Sequence, residues 1–223
     1  MTDAAILAID TSSMTASVAV YAGQVLAETT WHSGRRHSAE LLRAIDDTLV
    51  RAQVEKTALK AIAVAAGPGS YSGLRVGIST GMAMALALGI GVVQVPTLET
   101  IAWPQQTRCD SHQSIRAAID VGRGRFATAC FRGGGGVEQE SEIESFGLAD
   151  LLELSSDEGS LLAVDLEPWV RADIERQYGS KIALSGPAAS ARRAGFLAEL
   201  ASMKIDRGEL VGDGAVEPIY LRT

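Results

Sequence analysis

Short apolar runs separated by polar turns open the chain. Ala4 to Ile9 ends at Asp10; after Thr11-Ser12-Ser13 come Ala16 to Tyr21 and then, past Gly23-Gln24, Val25 to Thr30. Runs of this kind, bounded by Gly, Ser and Asp, predict three strands, the last two a hairpin. The apolar period then lengthens. Leu41, Leu42, Ile45, Leu49 and Ala52 fall on one face of a helix, with Ser38 as its cap and Glu40 in the first turn, where a carboxylate suits the positive dipole end. Ala61 to Ala66 predicts a buried strand. Gly67-Pro68-Gly69-Ser70 turns into a small-residue helix from about Tyr71 to Leu88, Val92 to Val95 is a further strand, and Thr97 caps a further helix. The order is βββαβαβα.

The same order returns. Ile115 to Asp120, Phe126 to Phe131 and Val137 to Ile143 predict strands, followed by a helix over Leu148 to Leu154 and a strand over Leu161 to Asp165. A helix over Pro168 to Tyr178, a strand over Ile182 to Leu184 and a helix over Ala188 to Met203 complete it. Residues repeat as well as elements: Ala8-Ile9-Asp10 recurs as Ala118-Ile119-Asp120, Tyr21 as Phe131 and Gly23 as Gly133, all at one offset. We read two duplicated α/β halves, divided as 1–106 and a smaller 107–223 whose last residues pack back on the first half. Gly133 to Gly136 sits where the second hairpin turn belongs.

Composition narrows the function. The chain has 223 residues, 47% of them hydrophobic and 21% charged, enough for a large core. Lys+Arg 20 against Asp+Glu 27 gives a net charge of −7, the opposite of the footprint of a protein that grips phosphate backbones by itself. Any nucleic acid is expected to be held through a partner. The N-terminus has no basic region before an apolar stretch, so a cytoplasmic protein is expected. Val76 to Leu98 carries no charge, but Gly, Ser, Thr and Pro break it into a buried helix and strand in place of a membrane span. Cys109 and Cys130 read as free thiols. His32, His37 and His112 do not share a helical face, and no metal site is expected.

Two stretches carry candidate chemistry. Asp10-Thr11-Ser12 follows a buried strand, where a carboxylate can hold a metal and hydroxyls a phosphate; the plainer reading is an Asx turn satisfied locally. Gly67-Pro68-Gly69-Ser70-Tyr71-Ser72-Gly73-Leu74-Arg75-Val76-Gly77 lacks the Lys-Ser/Thr of a Walker A loop and the spacing of a dinucleotide fingerprint. Gly73, Gly77 and Gly81, with Ala85, make a flat helix face built for close approach, since interior Gly costs ~1 kcal/mol against Ala. Packing on the chain's own sheet would use such a face. The sharper expectation is contact with another subunit, with Ser70, Tyr71, Leu74 and Arg75 at the rim.

Ile9-Asp10-Thr11-Ser12, Arg36-His37-Ser38-x-Glu40-Leu41-Leu42, the Gly67 to Gly77 stretch and Glu217-Pro218-Ile219-Tyr220-Leu221-Arg222 together resemble the TsaB (YeaZ) family. The resemblance implies an actin-like ATPase (ASKHA) fold of two RNase-H-like halves. It implies a non-catalytic subunit that pairs with a TsaD-like catalytic subunit and a TsaE-like ATPase to place threonylcarbamoyl on N6 of the adenosine beside the anticodon. It also implies homodimers on much the same surface, tRNA contact only through the complex, and no cofactor or metal of its own. Carried onto this chain, the interface comprises Glu40, Leu41, Ser70, Tyr71, Leu74, Arg75, Gly77, Ile78, Gly81 and Ala85. Where the family has Asp-Ala-Arg and Glu-Val-Tyr, this chain has Asp120-Val121-Gly122 and Arg125-Phe126-Ala127, so no family role is carried onto that hairpin. The competing reading is an autonomous ATP-binding phosphotransferase or hydrolase using Asp10 for metal and Thr11-Ser12 for phosphate.

Overall fold

Strand β1 (Ala5–Asp10) is buried along its whole length because both faces of its sheet are covered. The computed structural model describes residues 5–33, 37–106, 114–133, 136–158, 160–209 and 219. Next to β1 lie β2 (Thr15–Tyr21) and β3 (Val25–His32), antiparallel, and on its other side β4 (Leu59–Ala65) and β5 (Gly91–Val95), parallel. The strand order is β3-β2-β1-β4-β5. Helix α1 (His37–Ala52) and helix α2 (Tyr71–Leu88) connect these strands. The side chains of residues 37–39, Ser38 among them, lie outside the described residues.

Leu7 and Ile9 of β1, Val18 and Val20 of β2, and Ile62 and Val64 of β4 face α1 and α2 in one core, which includes Leu41, Ile45, Leu49, Ile78 and Ala85. The alternate positions, Ala8, Ala19, Ala61 and Ala63, are small and line the opposite face. Helix α7 (Ala194–Asp206) packs there, against β1, β2, β4 and β5, through its buried Ala194, Gly195, Leu197, Ala198 and Ala201. Small residues on both partners set that close approach.

The second sheet repeats the first. Strands β6 (Ser114–Gly122), β7 (Arg125–Arg132), β8 (Glu138–Gln139), β10 (Leu161–Val164) and β11 (Ala183–Leu184) run in the order β11-β10-β6-β7-β8, with β9 (Glu144–Gly147) also on β7. Its pattern of antiparallel hairpin and parallel crossovers is that of the first sheet. One face packs on α4 (Leu148–Glu158) and α5 (Pro168–Tyr178), the other on Leu98, Ile101 and Ala102 of α3 (Thr97–Ala102). The fold is a mixed α/β architecture of two similarly ordered sheets, as the element order predicts.

Three features depart from the sequence reading. The strand expected over Val137 to Ile143 is formed only at β8, and β9 begins beyond it at Glu144, because Glu140 N–H donates to Cys130 O and Cys130 N–H to Ser141 Oγ, a detour that separates the two. The helix expected over Ala188 to Met203 breaks into α6 (Pro187–Ser190) and α7, with Ala191 and Arg193 in extended backbone between them. The chain also divides into compact units at Thr97/Leu98, not at 106/107, and Arg192–Tyr220 joins the first unit. The cause is helix packing: α3 buries its apolar side on the second sheet and α7 on the first. Of the thiols, Cys130 is buried and free in β7, and Cys109 lies outside the described residues. Val76 to Leu98 divides into helix and strand at Gly89, whose φ of 65° ends α2 in the left-handed conformation. Among the described residues no helix is long and apolar enough to cross a membrane.

Candidate functional site

The turn after β1 is an Asx turn. Asp10 Oδ1 accepts the N–H of Ser12 at 2.9 Å and its hydroxyl at 2.6 Å. The second half repeats the device, with Asp120 Oδ1 accepting Gly122 N–H at 2.6 Å. The two turns differ in what faces the carboxylate. Asp120 is exposed, whereas Asp10 is fully buried and its Oδ2 accepts a hydrogen bond from the guanidinium of Arg192, itself 2% exposed. Arg192 lies in the break between α6 and α7, so the interruption of that helix delivers the arginine. A site offering Asp10 to a metal is thereby spent on an internal ion pair.

Thr11 and Ser12 are committed as well. Thr11 Oγ1 donates to Gly73 O at 2.7 Å, and Ser12 O accepts Ser70 N–H at 2.7 Å. Ser70 caps α2 by accepting Gly73 N–H. Gly67 N–H donates to Thr97 Oγ1 and Thr97 N–H to Gly67 O. Ile219 N–H donates to Ala66 O, and a Cβ on Gly67 would sit 2.6 Å from Ile219 O. The motifs that stand far apart in sequence therefore meet in one welded turn. Its backbone groups are turned onto the protein, so a phosphate-cradling role for Asp10, Thr11 and Ser12 does not fit their geometry.

The glycine face of α2 corrects the interface expectation. A Cβ on Gly73 would lie 2.0 Å from Thr11 O, one on Gly77 2.3 Å from Thr11 Oγ1, and one on Gly81 2.6 Å from Val64 Cγ1. These glycines let the helix settle on β1 and β4, the in-chain reading of their spacing. Leu41, Leu74, Gly77, Ile78, Gly81 and Ala85 are buried within the first unit. Glu40 and Ser70 are half-buried, Glu40 accepting the indole N–H of Trp31 at 2.9 Å. Tyr71 and Arg75 are exposed, paired by a hydrogen bond of 2.7 Å and by stacking of the guanidinium on the ring.

Beyond Tyr71 and Arg75, α1 and α2 present outward residues that the sequence reading did not assign to a surface. Leu42 and Val50 of α1 and Leu86 of α2 are exposed, and an open groove of about 320 Å³ runs between the helices, lined by Leu42, Arg75, Val76, Ser79 and Thr80. Leu42 is expected on the apolar face with Leu41, Ile45 and Leu49, and the structure corrects this: it lies at the edge of that face and is 58% exposed. Among the described residues no three His, Cys, Asp or Glu side chains converge as metal ligands.

Residues 23–204 match the protein family described as TsaD, tRNA N6-adenosine threonylcarbamoyltransferase. The chain belongs to this family, on its TsaB (YeaZ) branch. A tRNA threonylcarbamoyladenosine biosynthesis protein TsaB of Escherichia coli is 28% identical over 225 residues, covering 97% of this chain and 94% of its own length. The TsaB of Bacillus subtilis is 32% identical over 151 residues, 67% of this chain and 65% of that protein. The match thus spans under two thirds of the Bacillus relative. Among solved structures, YeaZ from Pseudomonas aeruginosa superposes with a TM-score of 0.73 at 25% identity, covering 98% of this chain and all of its own. The TsaB-branch assignment carries the actin-like ATPase fold with it, in agreement with the two matching sheets.

Proposed function

We propose that this chain is the non-catalytic subunit of the tRNA N6-threonylcarbamoyladenosine-forming complex, binding and ordering a TsaD-like catalytic subunit with a TsaE-like ATPase. The observation that carries the reading is the buried Asp10–Arg192 pair, which occupies the carboxylate an actin-like ATPase of this design would need for metal. The names of the relatives supply the pathway. The outward face of α1 and α2, with Leu42, Tyr71, Arg75, Val76, Ser79 and Thr80, is the proposed docking surface. Homodimers would use the same face and compete. tRNA is met only inside the complex, in keeping with the net charge of −7. The chain acts in the cytoplasm.

The test is co-purification with a co-expressed TsaD homologue, followed by threonylcarbamoyl transfer to tRNA in the presence of the TsaE homologue. A complex that forms with wild type, is lost in Ser79→Arg, and alone supports transfer is the expected result. ATP hydrolysis by the isolated chain, abolished by Asp10→Asn, would instead favour the autonomous enzyme.

A further inference from the structure

A sheet edge presents a row of backbone N–H and C=O groups, and proteins guard such edges by shortness, charge or cover. In the second sheet β11 is two residues long, while β8 and β9 are two and four residues long and carry Glu138 and Glu144. In the first sheet β5 is five residues long with four of them buried. The opposite edge is different. Strand β3 has eight residues, and among the described residues no strand pairs with its outer side. A register shift at Val20/Tyr21 leaves Leu26 as a bulge near its start, but Ala27 to His32 run in unbroken register with β2. That stretch has no Pro and no Lys. Its one carboxylate, Glu28, is already taken by the guanidinium of Arg193 and the N–H of Gly195.

Charge selects the occupant. Like charges set opposite each other across two strands oppose pairing, and a chain of net charge −7 meets its own copy against that repulsion over most of its surface. Along Ala27 to His32 the one acid is neutralised within the chain, so two copies laid antiparallel about a twofold axis bring no unneutralised carboxylates face to face. Thr29, Thr30 and Trp31 are β-branched or aromatic, the residues that fit a paired strand. We infer that β3 is a self-association edge, pairing antiparallel with β3 of a second copy so that two five-stranded sheets join into one. This edge shares no residue with the outward face of α1 and α2. It is a second route to a dimer that leaves that face open, and it does not rest on the proposed assembly.

The experiment compares Ser79→Arg, which blocks the helix face, with Ser79→Arg/Thr30→Lys, Thr30 being exposed on β3. Sedimentation equilibrium over a range of concentrations gives the dimer affinity of each. Ser79→Arg is expected to dimerise. Adding Thr30→Lys is expected to weaken that dimer about tenfold or more, since a twofold interface meets each new charge twice. Hydrogen exchange on Ser79→Arg at low and high concentration locates the contact, and the amides of β3 are expected to slow as concentration rises. A monomer at every concentration, a dimer that Thr30→Lys leaves unchanged, or protection that rises in another element and not in β3 overturns the inference. Circular dichroism checks that both variants fold. If Thr30→Lys does not, the exposed His32 is replaced by Lys in its place, and the exchange measurement on Ser79→Arg stands without either.

Discussion

Gly73→Ala tests the placement of α2 on β1 with the smallest perturbation available, one methyl group. The added carbon would lie 2.0 Å from the backbone carbonyl oxygen of Thr11, and that carbonyl belongs to the turn held by Ser12, Ser70 and Asp10. Relief needs a shift of about 1 Å between helix and turn, and overpacking of this kind costs about 1–3 kcal/mol, with a rigid backbone on both sides placing it near the upper end. Ala returns about 1 kcal/mol in helix propensity. The net loss is about 2 kcal/mol, or roughly 4–8 °C in Tm for a chain of this size. Urea and thermal unfolding measure it, with Ser79→Ala on the exposed face of the same helix as reference. The reference should stay within about 0.5 kcal/mol of wild type. Equal stability of Gly73→Ala and Ser79→Ala would refute the packing argument and return the glycine face to the surface.

Three further outcomes follow from the same contacts. Asp10→Ala strands the buried Arg192 charge and should destabilise by about 3–5 kcal/mol, read from urea unfolding, and Asp10→Ala/Arg192→Met should recover part of that loss. Glu28→Ala removes the acceptor of Gly195 N–H at 2.9 Å and the partner of Arg193 at the start of α7, where the helix dipole favours an acid; about 1–2 kcal/mol should be lost on thermal melting. Ser79→Arg should weaken binding of a TsaD homologue tenfold or more, about 1.4 kcal/mol upward, while leaving Tm unchanged.

Local signals made much of the fold legible. Helices α2 and α5 run over Tyr71–Leu88 and Pro168–Tyr178 as their sequences predict, because Ser70, Gly89 and Pro168 mark the ends by side-chain and backbone geometry that acts within a turn. The duplication was readable from one repeated tripeptide and a repeated order. The glycine face was found but its direction was not, since four-residue spacing of small side chains demands a close neighbour without naming it. The pairing of Arg192 with Asp10 was not legible. Its partner lies 182 residues away, and an arginine in an alanine-rich stretch gives no local reason to break a helix. Val137 to Ile143 misled because alternating polar residues promise a strand even where one serine hydroxyl diverts the backbone.

The chain's two compact units are stitched out of order along the polypeptide. Residues 98–191 form a contiguous stretch of the second unit, whereas the first unit needs α7, delivered only at Ala194–Asp206. During synthesis the N-terminal sheet leaves the ribosome first yet has its alanine-lined face and the Asp10 carboxylate uncovered until roughly a hundred further residues have followed, some 5–20 s at ordinary elongation rates. The later-made half can close while the earlier-made half is still waiting, so completion runs against the direction of translation. A nascent chain arrested before Arg192 would carry a finished second core beside an unfinished first one, and that open alanine face is the surface a chaperone would meet.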